Sequence, residues 1–547
     1  MREPRKDQLS DQLYTTAHRA ALWTLTGSIP RSNPWDEITL TARMTGPDGQ
    51  VHAVPAFWDG GQIWRFRLSA PVPGAYQLLT ICSDTTDMGL HGQTAVLLVG
   101  EVPAGERNPL YAHGAVYPVG RHFEHLDGTP FHWFADTWWM LMSERVSWPE
   151  GFTKLVAFRR EQGFTVGQVV IGFQPDTTPF DGRDANAGGS PWHEGYSSIN
   201  PGFFQRADLR IQHMVDAGVL PLILGGWGYH LLFMGKERMI SHWRYLVARY
   251  GGWPVMWCLA GEAAMGYYLS SDLPGEIRQL KEAWPDVTRA VQAADPWKRP
   301  VTLHCRQTSW DDTTNPEILD FHMTQAGHLP NAPKKSIDLL AAGRDRYPDK
   351  VIINSEPPYE GHAGTNWSDV QRYSFWSSML SGATGYTYGA AGVFQANDRD
   401  RPTGNRPDGG AFDHVFWDDA IHFEGAAQIA RGHALLVSLD HHLFEVHPEW
   451  ATVELRSGHE AYPMPLRPYS AGIPGKLRVI YLPLRWYHWN GPVVRHLEPG
   501  VRYKATYLET DSLKRHEIGV VSGDADGEWT GPTLPHMYDW LLVMEAV

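Results

Sequence analysis

The sequence predicts an α/β multidomain chain: a central (β/α)8 TIM barrel carried between an N-terminal and a C-terminal β-sandwich. Three observations lead there. From about residue 115 to 435, short apolar runs alternate with segments of helical periodicity. On either side the rhythm falls to period two, broken by Gly, Pro and Asp turns. Two glutamates, Glu262 and Glu356, each close an apolar run, where a barrel strand would emerge at its C-terminal face. The expected divisions are 1–110, 111–438 and 439–547.

The elements follow in order. Ile38–Met44 and Ile63–Leu68 alternate as half-buried strands do, and Gly46-Pro47-Asp48-Gly49, Asp59-Gly60-Gly61 and Pro73-Gly74 punctuate them. The barrel strands are expected at Phe131–Ala135, Thr165–Ile171, Leu220–Leu224, Val255–Leu259, Val301–His304, Leu319–Met323, Val351–Asn354 and Gly385–Tyr388. Apolar residues at three- and four-residue steps mark helices over Phe203–Ala217, Lys236–Tyr250, Glu276–Ala293 and Ser368–Ser381. Counted this way, Glu262 ends the fourth strand and Glu356 the seventh. Leu477–Leu482, Tyr503–Tyr507 and Trp540–Met544 resume the strand rhythm. Long Asp-, Gly- and Pro-rich stretches, Gln174–Pro201 and Phe394–Phe412, follow strands two and eight; loops of that length in a compact domain are usually functional or disordered.

Composition narrows the function. A chain of 547 residues exceeds one ordinary domain, and 24 tryptophans with 40 prolines and 54 glycines suit a loop-rich enzyme or carbohydrate binder. The net charge of −14 argues against a nucleic-acid or anionic-membrane partner, which needs a basic footprint. The three widely spaced cysteines form no disulfide framework and no zinc pattern. The first residues lack the apolar segment of a signal peptide, and no apolar stretch is long enough to span a bilayer. These features point to a soluble cytoplasmic protein, with homo-oligomerisation left open.

Two carboxylates across a barrel mouth are the minimal equipment for breaking a glycosidic bond: one protonates the leaving oxygen, the other attacks or stabilises an oxocarbenium-like centre. Burial and mutual repulsion can separate their pKa values for these roles. Glu262 and Glu356 are the catalytic candidates, against the plainer reading of strand-end salt bridges. Glu360 rivals Glu356, but Pro357-Pro358 should end the strand after Glu356. Around them stand candidate sugar ligands: Asp136, Trp138 and Trp139 after strand one, Gln168 on strand two, and Trp227 after strand three. His304, His322 and Gln325 belong to strands five and six; Tyr359, Glu360 and Tyr388 follow strands seven and eight. Each has a structural alternative: Asp136 as a cap, the tryptophans and Tyr388 as packing, the histidines as satisfied core groups. His441-His442, Glu445 and His447 have no ligand spacing, and no metal or other cofactor is expected. There is no phosphate-binding Gly-Lys-Ser/Thr motif, dinucleotide fingerprint or Gly-x-Ser-x-Gly elbow.

Glutamates ending strands four and seven resemble those of the clan-A glycoside hydrolases. More narrowly, the chain resembles the apiosidase-like bacterial glycosidases. The matching stretches are Pro55–Gly61, Phe131–Trp139, Ala260-Gly261-Glu262 and Asn354–Glu360. The resemblance implies a retaining glycosidase with Glu262 as acid/base and Glu356 as nucleophile, acting on a carbohydrate. The long loops suggest exo action on a terminal sugar. Gly261 departs from the asparagine that many clan-A enzymes place before the acid/base. That departure, with the many tryptophans, keeps in view a non-catalytic carbohydrate-binding protein on a glycosidase scaffold; because barrels host many chemistries, a hydrolase of an amide or ester bond also stays open.

Overall fold

The computed structural model describes residues 11–410, 414–453, 458, 461–483 and 491–547. The end of the predicted loop after strand eight (411–413) and the first ten residues lie outside these.

The N-terminal part is two packed sheets. Five strands (Asp11–Thr16, Thr94–Gly100, Gly74–Cys82, Leu40–Thr45 and Val51–Pro55, in spatial order) face three (Ala21–Thr26, Ile63–Leu68 and Phe57–Trp58). Their alternate residues, among them Trp23, Leu40, Ala42, Trp64, Phe66, Leu78 and Leu97, make one shared core. The period-two pattern of the sequence is this inward and outward alternation.

The central part is a barrel of eight parallel strands: β1 Phe134–Trp138, β2 Val166–Phe173, β3 Leu220–Gly226, β4 Met256–Cys258, β5 Val301–Thr302, β6 His322–Gln325, β7 Ile352–Glu356 and β8 Gly385–Tyr388. Ladders join every neighbouring pair except β5 and β6. That seam is stitched by Asp320 N donating to Val301 O (2.9 Å), Val301 N to Asp320 Oδ2 (2.7 Å) and Thr302 Oγ1 to Phe321 O (2.7 Å). Helices α1 Glu150–Glu161, α2 Pro201–Asp216, α3 Lys236–Tyr250, α4 Leu273–Ala294, α5 Ala332–Arg346, α6 Ser368–Met379 and α7 Glu424–Ser438 surround it. After β5 only the short 3-10 turn Pro316–Ile318 stands where a helix would.

Two strand positions differ from expectation. The first strand begins at Phe134, not Phe131, because Pro130–Phe131 pairs with His122–His125 in a small antiparallel sheet. That sheet plugs the barrel's N-terminal end, with the Phe123 ring 5.3 Å from both Trp133 and Phe321. The sixth strand begins at His322, not Leu319.

From Glu445 a six-stranded sheet and a three-stranded sheet follow. One face of the larger sheet (Ala471, Val479, Tyr481, Leu541, Val543) joins the barrel core; the other (Ile480, Leu482, Leu542, Met544) forms its own. Arg372 of α6 pairs with Asp539 (2.9 Å), pinning the sheet to the barrel. Among the described residues, no helix is long and apolar enough to cross a membrane.

Candidate active site

Strand alternation decides which predicted residues can meet at the barrel's C-terminal face. On β1, Thr137 points inward beside Gly389, while Asp136 and Trp138 point outward. Asp136 is fully buried and accepts from Arg159 Nε (2.7 Å). Trp138 packs between β2 and α2, where a Cβ on Gly167 would stand 2.5 Å from its ring. On β6, His322 also faces outward, meeting Ser309 Oγ (3.0 Å) and the Trp310 and Tyr347 rings. These three expected sugar ligands are therefore enclosed between strands and helices, away from the carboxylate pair. Gln168 lies inside the barrel and donates to Ser355 O (3.2 Å). Glu360 accepts from Tyr388 Oη (2.7 Å) and from Gly425 N (2.9 Å), so this pair fastens the β7 loop to α7.

The remaining candidates converge. Gln325, at the inward end of β6, uses one amide nitrogen for both glutamates: Nε2 donates to Glu262 Oε1 (2.8 Å) and to Glu356 Oε1 (3.2 Å). Glu356 reaches this position through a bulge. Thr324 pairs with Asn354, but Gln325 pairs with Glu356, so Ser355 is the extra residue on β7. Asn354 points out to Ser378 on α6. Without the extra residue Glu356 would share that outward face, so the bulge turns its carboxylate into the barrel mouth.

Glu262 lies four residues past β4 with φ of 40°, in the left-handed region that a β-carbon disfavours. The chain holds it there through paired neighbours: Gly261 N donates to Gly226 O (3.0 Å), Gly228 N to Gly261 O (2.7 Å) and Ala263 N to His304 O (2.9 Å). The Trp227 ring lies against Gly261, where a Cβ would stand 2.1 Å from the indole. The absent asparagine is thus explained sterically: the indole occupies its space. Trp227 Nε1 in turn donates to Glu262 Oε2 at 3.4 Å. Trp139 stands edge-on to Trp227 and His304 and donates from Nε1 to Tyr359 Oη (2.9 Å).

Two histidines hold Glu356. His304 Nε2 lies 3.3 Å from Oε2 and His328 Nε2 lies 3.1 Å from Oε1. The backbone N–H of Glu262 donates to His304 Nδ1 (3.4 Å), and that of Tyr359 to His328 Nδ1 (3.2 Å). With Nδ1 as acceptor, Nε2, the nitrogen nearer Glu356, is left to carry a ring proton in each case. His328 was missed in the sequence. It falls in the loop after β6, outside any apolar run, and only its place three residues past Gln325 hints at a role.

The electrostatic result is a split pair. Burial, reinforced by the charge of Glu356, pushes the Glu262 carboxyl up to about 7. Burial also pushes Glu356 upward, but hydrogen bonding and electrostatic attraction from the adjacent His304 and His328 outweigh it and hold the carboxyl at about 2. At neutral pH the first is poised between its forms and the second is ionised.

Loops that the sequence marked by length complete the mouth. Asp176, after β2, has φ of 63° and accepts from Tyr268 Oη of the β4 loop; burial raises its pKa to about 6. Arg406 of the β8 loop lies 5.5 Å from the Tyr268 ring. Arg183 of the β2 loop donates to Thr403 O (2.9 Å) and Asn405 O (2.8 Å). Neither Asp176 nor Tyr268 was singled out from sequence. Among the described residues, no group of three His, Cys, Asp or Glu side chains could hold a metal ion; His447 of the suspected patch pairs with Glu445 (3.4 Å) and Glu449 (2.8 Å).

An eight-stranded parallel barrel with facing glutamates past strand four and on strand seven has the architecture of the glycoside hydrolases. The chain belongs to the apiosidase-like catalytic-domain family, which residues 118–442 match. Residues 16–82 match a domain of unknown function, DUF5060. No curated protein matches the chain. Among solved structures, a putative glycoside hydrolase from Bacteroides vulgatus ATCC 8482 is 16% identical, covering 98% of this chain and 100% of its own, with a TM-score of 0.68. A glycoside hydrolase family 5 protein from the same organism is 18% identical, covering 80% of this chain and 93% of its own, with a TM-score of 0.62. A third, described as a glycoside hydrolase, is 18% identical over 80% of this chain and 97% of its own, with a TM-score of 0.64. At such identities the likeness is one of fold.

Proposed function

We propose that the protein is a retaining exo-glycosidase in which Glu262 is acid/base and Glu356 is nucleophile. The observation that carries this reading is the pair of carboxylates sharing one Gln325 nitrogen while their pKa values lie far apart. The two oxygens that share this nitrogen, 2.8 and 3.2 Å from it, lie no more than about 6 Å apart, which favours the short separation of a retaining pair over the roughly 6.5–9.5 Å of an inverting one.

The hydrogen bonds also place the acid proton. The shorter bond from Gln325 keeps Glu262 Oε1 an acceptor, which leaves Oε2, under the longer Trp227 contact, to carry the proton. Glu262 Oε2 would protonate the leaving oxygen as Glu356 attacks the anomeric carbon. Glu262, then ionised, would take a proton from water as that water releases the sugar from Glu356. Glu356 is preferred to Glu360 because the Glu360 carboxylate is spent on Tyr388 and Gly425. The tied loops after β2 and β8 support a closed-ended site and a terminal sugar as substrate. Gly261, which favoured a non-catalytic reading, has a packing reason instead.

The test is a panel of aryl glycosides, pentosides and furanosides included, followed by trapping with the 2-fluoro analogue of the sugar that is turned over. A covalent adduct on Glu356 is expected. Turnover with inversion, or an adduct on Glu360, would sink the assignment.

A further inference from the structure

The opposite end of the barrel carries a feature that the carboxylate pair does not use. A cavity of about 160 Å³ opens where the N-terminal ends of β1, β7 and β8 meet the Val116–His125 hairpin and the start of the C-terminal sheet. Arg121, Arg344 and Lys350 line it, and no carboxylate does, in a chain whose net charge is −14.

Among the described residues, none of these three cations forms an ion pair with an acidic side chain. Lys350 Nζ donates to the carbonyls of Leu319 (2.8 Å) and Glu317 (3.4 Å). Arg344 lies across Gly382, where even a Cβ would come within 2.5 Å of its side chain. Burial lowers the Arg344 pKa, the Arg121 charge lowers it further, and the adjacent Asp345 opposes both. Beside them stand three imidazoles. His132 packs on His441 at 4.8 Å and on His442 at 5.6 Å, and the Nδ1 atoms of His132 and His442 are buried without a hydrogen-bond partner. Phe131, Ile352 and Met379 supply an apolar wall.

Guanidinium groups that pair with no carboxylate, Arg344 half-buried and Arg121 exposed at the cavity mouth, favour an anion, and their planar donor forks suit a carboxylate or phosphate. Neutral imidazole nitrogens can add hydrogen bonds, and the apolar wall favours an organic body over a bare inorganic ion. We propose that this cavity binds a small organic oxyanion, a carboxylate or phosphate head on an apolar body, held by Arg121 and Arg344. The site stands apart from the carboxylate pair and does not depend on the glycosidase reading. Because Val446 and Ala471 of the C-terminal sheet also line it, occupancy would brace the seam between sheet and barrel.

The test is calorimetric titration of the full chain at low salt with phenyl phosphate, benzoate, inorganic phosphate and phenol. One-to-one binding of an aryl anion is expected, weaker for inorganic phosphate and absent for phenol. The double variant Arg121→Met/Arg344→Met should weaken it about tenfold or more; Lys350→Gln, which leaves both arginines in place, should weaken it less and covers the case that the double variant misfolds. Glu262→Gln and Glu356→Gln should leave it unchanged. No saturable binding of either aryl anion, binding as tight for inorganic phosphate, or binding that survives both cation variants would overturn the proposal.

Discussion

The ends of the fourth and seventh strands carry the same side chain in opposite states. Both carboxylates are pushed upward by burial, so burial does not distinguish them. Partners do. Glu262 meets one amide N–H, a long indole N–H and the charge of its neighbour. Glu356 meets two imidazoles, each fixed as a donor by a backbone amide, and shares the same amide N–H. The count and strength of donors thus set which glutamate keeps a proton, and the backbone arranges the donors.

The comparison breaks most visibly in turnover. Glu356→Gln removes the proposed nucleophile and should cost on the order of 10⁴–10⁶-fold in kcat. Glu262→Gln should cost about 10²–10⁴-fold on alkyl glycosides. It should cost far less in the first step on dinitrophenyl glycosides, whose leaving groups need no proton. Equal losses in both variants, whatever the leaving group, would show that the two ends do not differ as described.

Acidity gives the next effect. In the proposed mechanism activity requires Glu262 protonated and Glu356 ionised, so kcat/KM should fall as pH rises through about 7 and should persist toward about 2, where acid unfolding permits. In Glu262→Gln, assayed with an activated substrate, the alkaline limb should disappear. A limb that stays at the same pH belongs to another group, and Asp176 is the one to examine.

Stability should also respond in opposite directions. The Glu262 pKa is raised on folding, so its cost is absent below about 4.5, grows to about 7 and is complete above; Glu262→Gln should therefore stabilise the protein at pH 8. The Glu356 pKa is depressed, so its contribution is complete above about 4.5 and is lost as pH falls toward 2; Glu356→Gln should destabilise at pH 8. Each effect is bounded at about 3 kcal/mol by the size of the shift, and denaturant titration of both variants at pH 8 reads the sign.

Much of this contrast was legible in the sequence, and the rest has identifiable physical causes. Apolar runs ending in Glu262 and Glu356 marked the right strands, since a parallel barrel strand is buried on both faces. Side-chain direction was harder. Asp136, Trp138 and His322 fell on outward positions that a one-residue change of phase would have turned inward, and a periodicity reading does not fix phase in all-apolar strands. The Ser355 bulge that aims Glu356 is a non-local event, visible only in its pairing with Gln325. His328 and Asp176 come from loops, where position is set by tertiary contacts. The abundance of tryptophan that suggested a carbohydrate binder is mostly core packing: Trp23, Trp64, Trp133, Trp138, Trp139, Trp192, Trp243, Trp257, Trp284, Trp376 and Trp540 are all buried, whereas Trp367 is exposed.

The finest test separates the two donors on Glu262. A donor to a carboxylate favours its ionised form, so removing one raises the pKa and moves the alkaline limb to higher pH. Gln325 donates at 2.8 Å and opposes the raised pKa of Glu262, whereas the Trp227 contact is 3.4 Å. Gln325→Leu should shift the limb upward by about one unit, and Trp227→Phe by about half a unit or less. Direct titration of carboxyl-labelled glutamate in the resting enzyme would read the same shifts without turnover. If Trp227→Phe moved the limb farther than Gln325→Leu, the indole would be the stronger donor. The proton would then belong on Glu262 Oε1, facing Gln325 instead of the leaving group, and the roles drawn from the hydrogen bonds would have to be reversed.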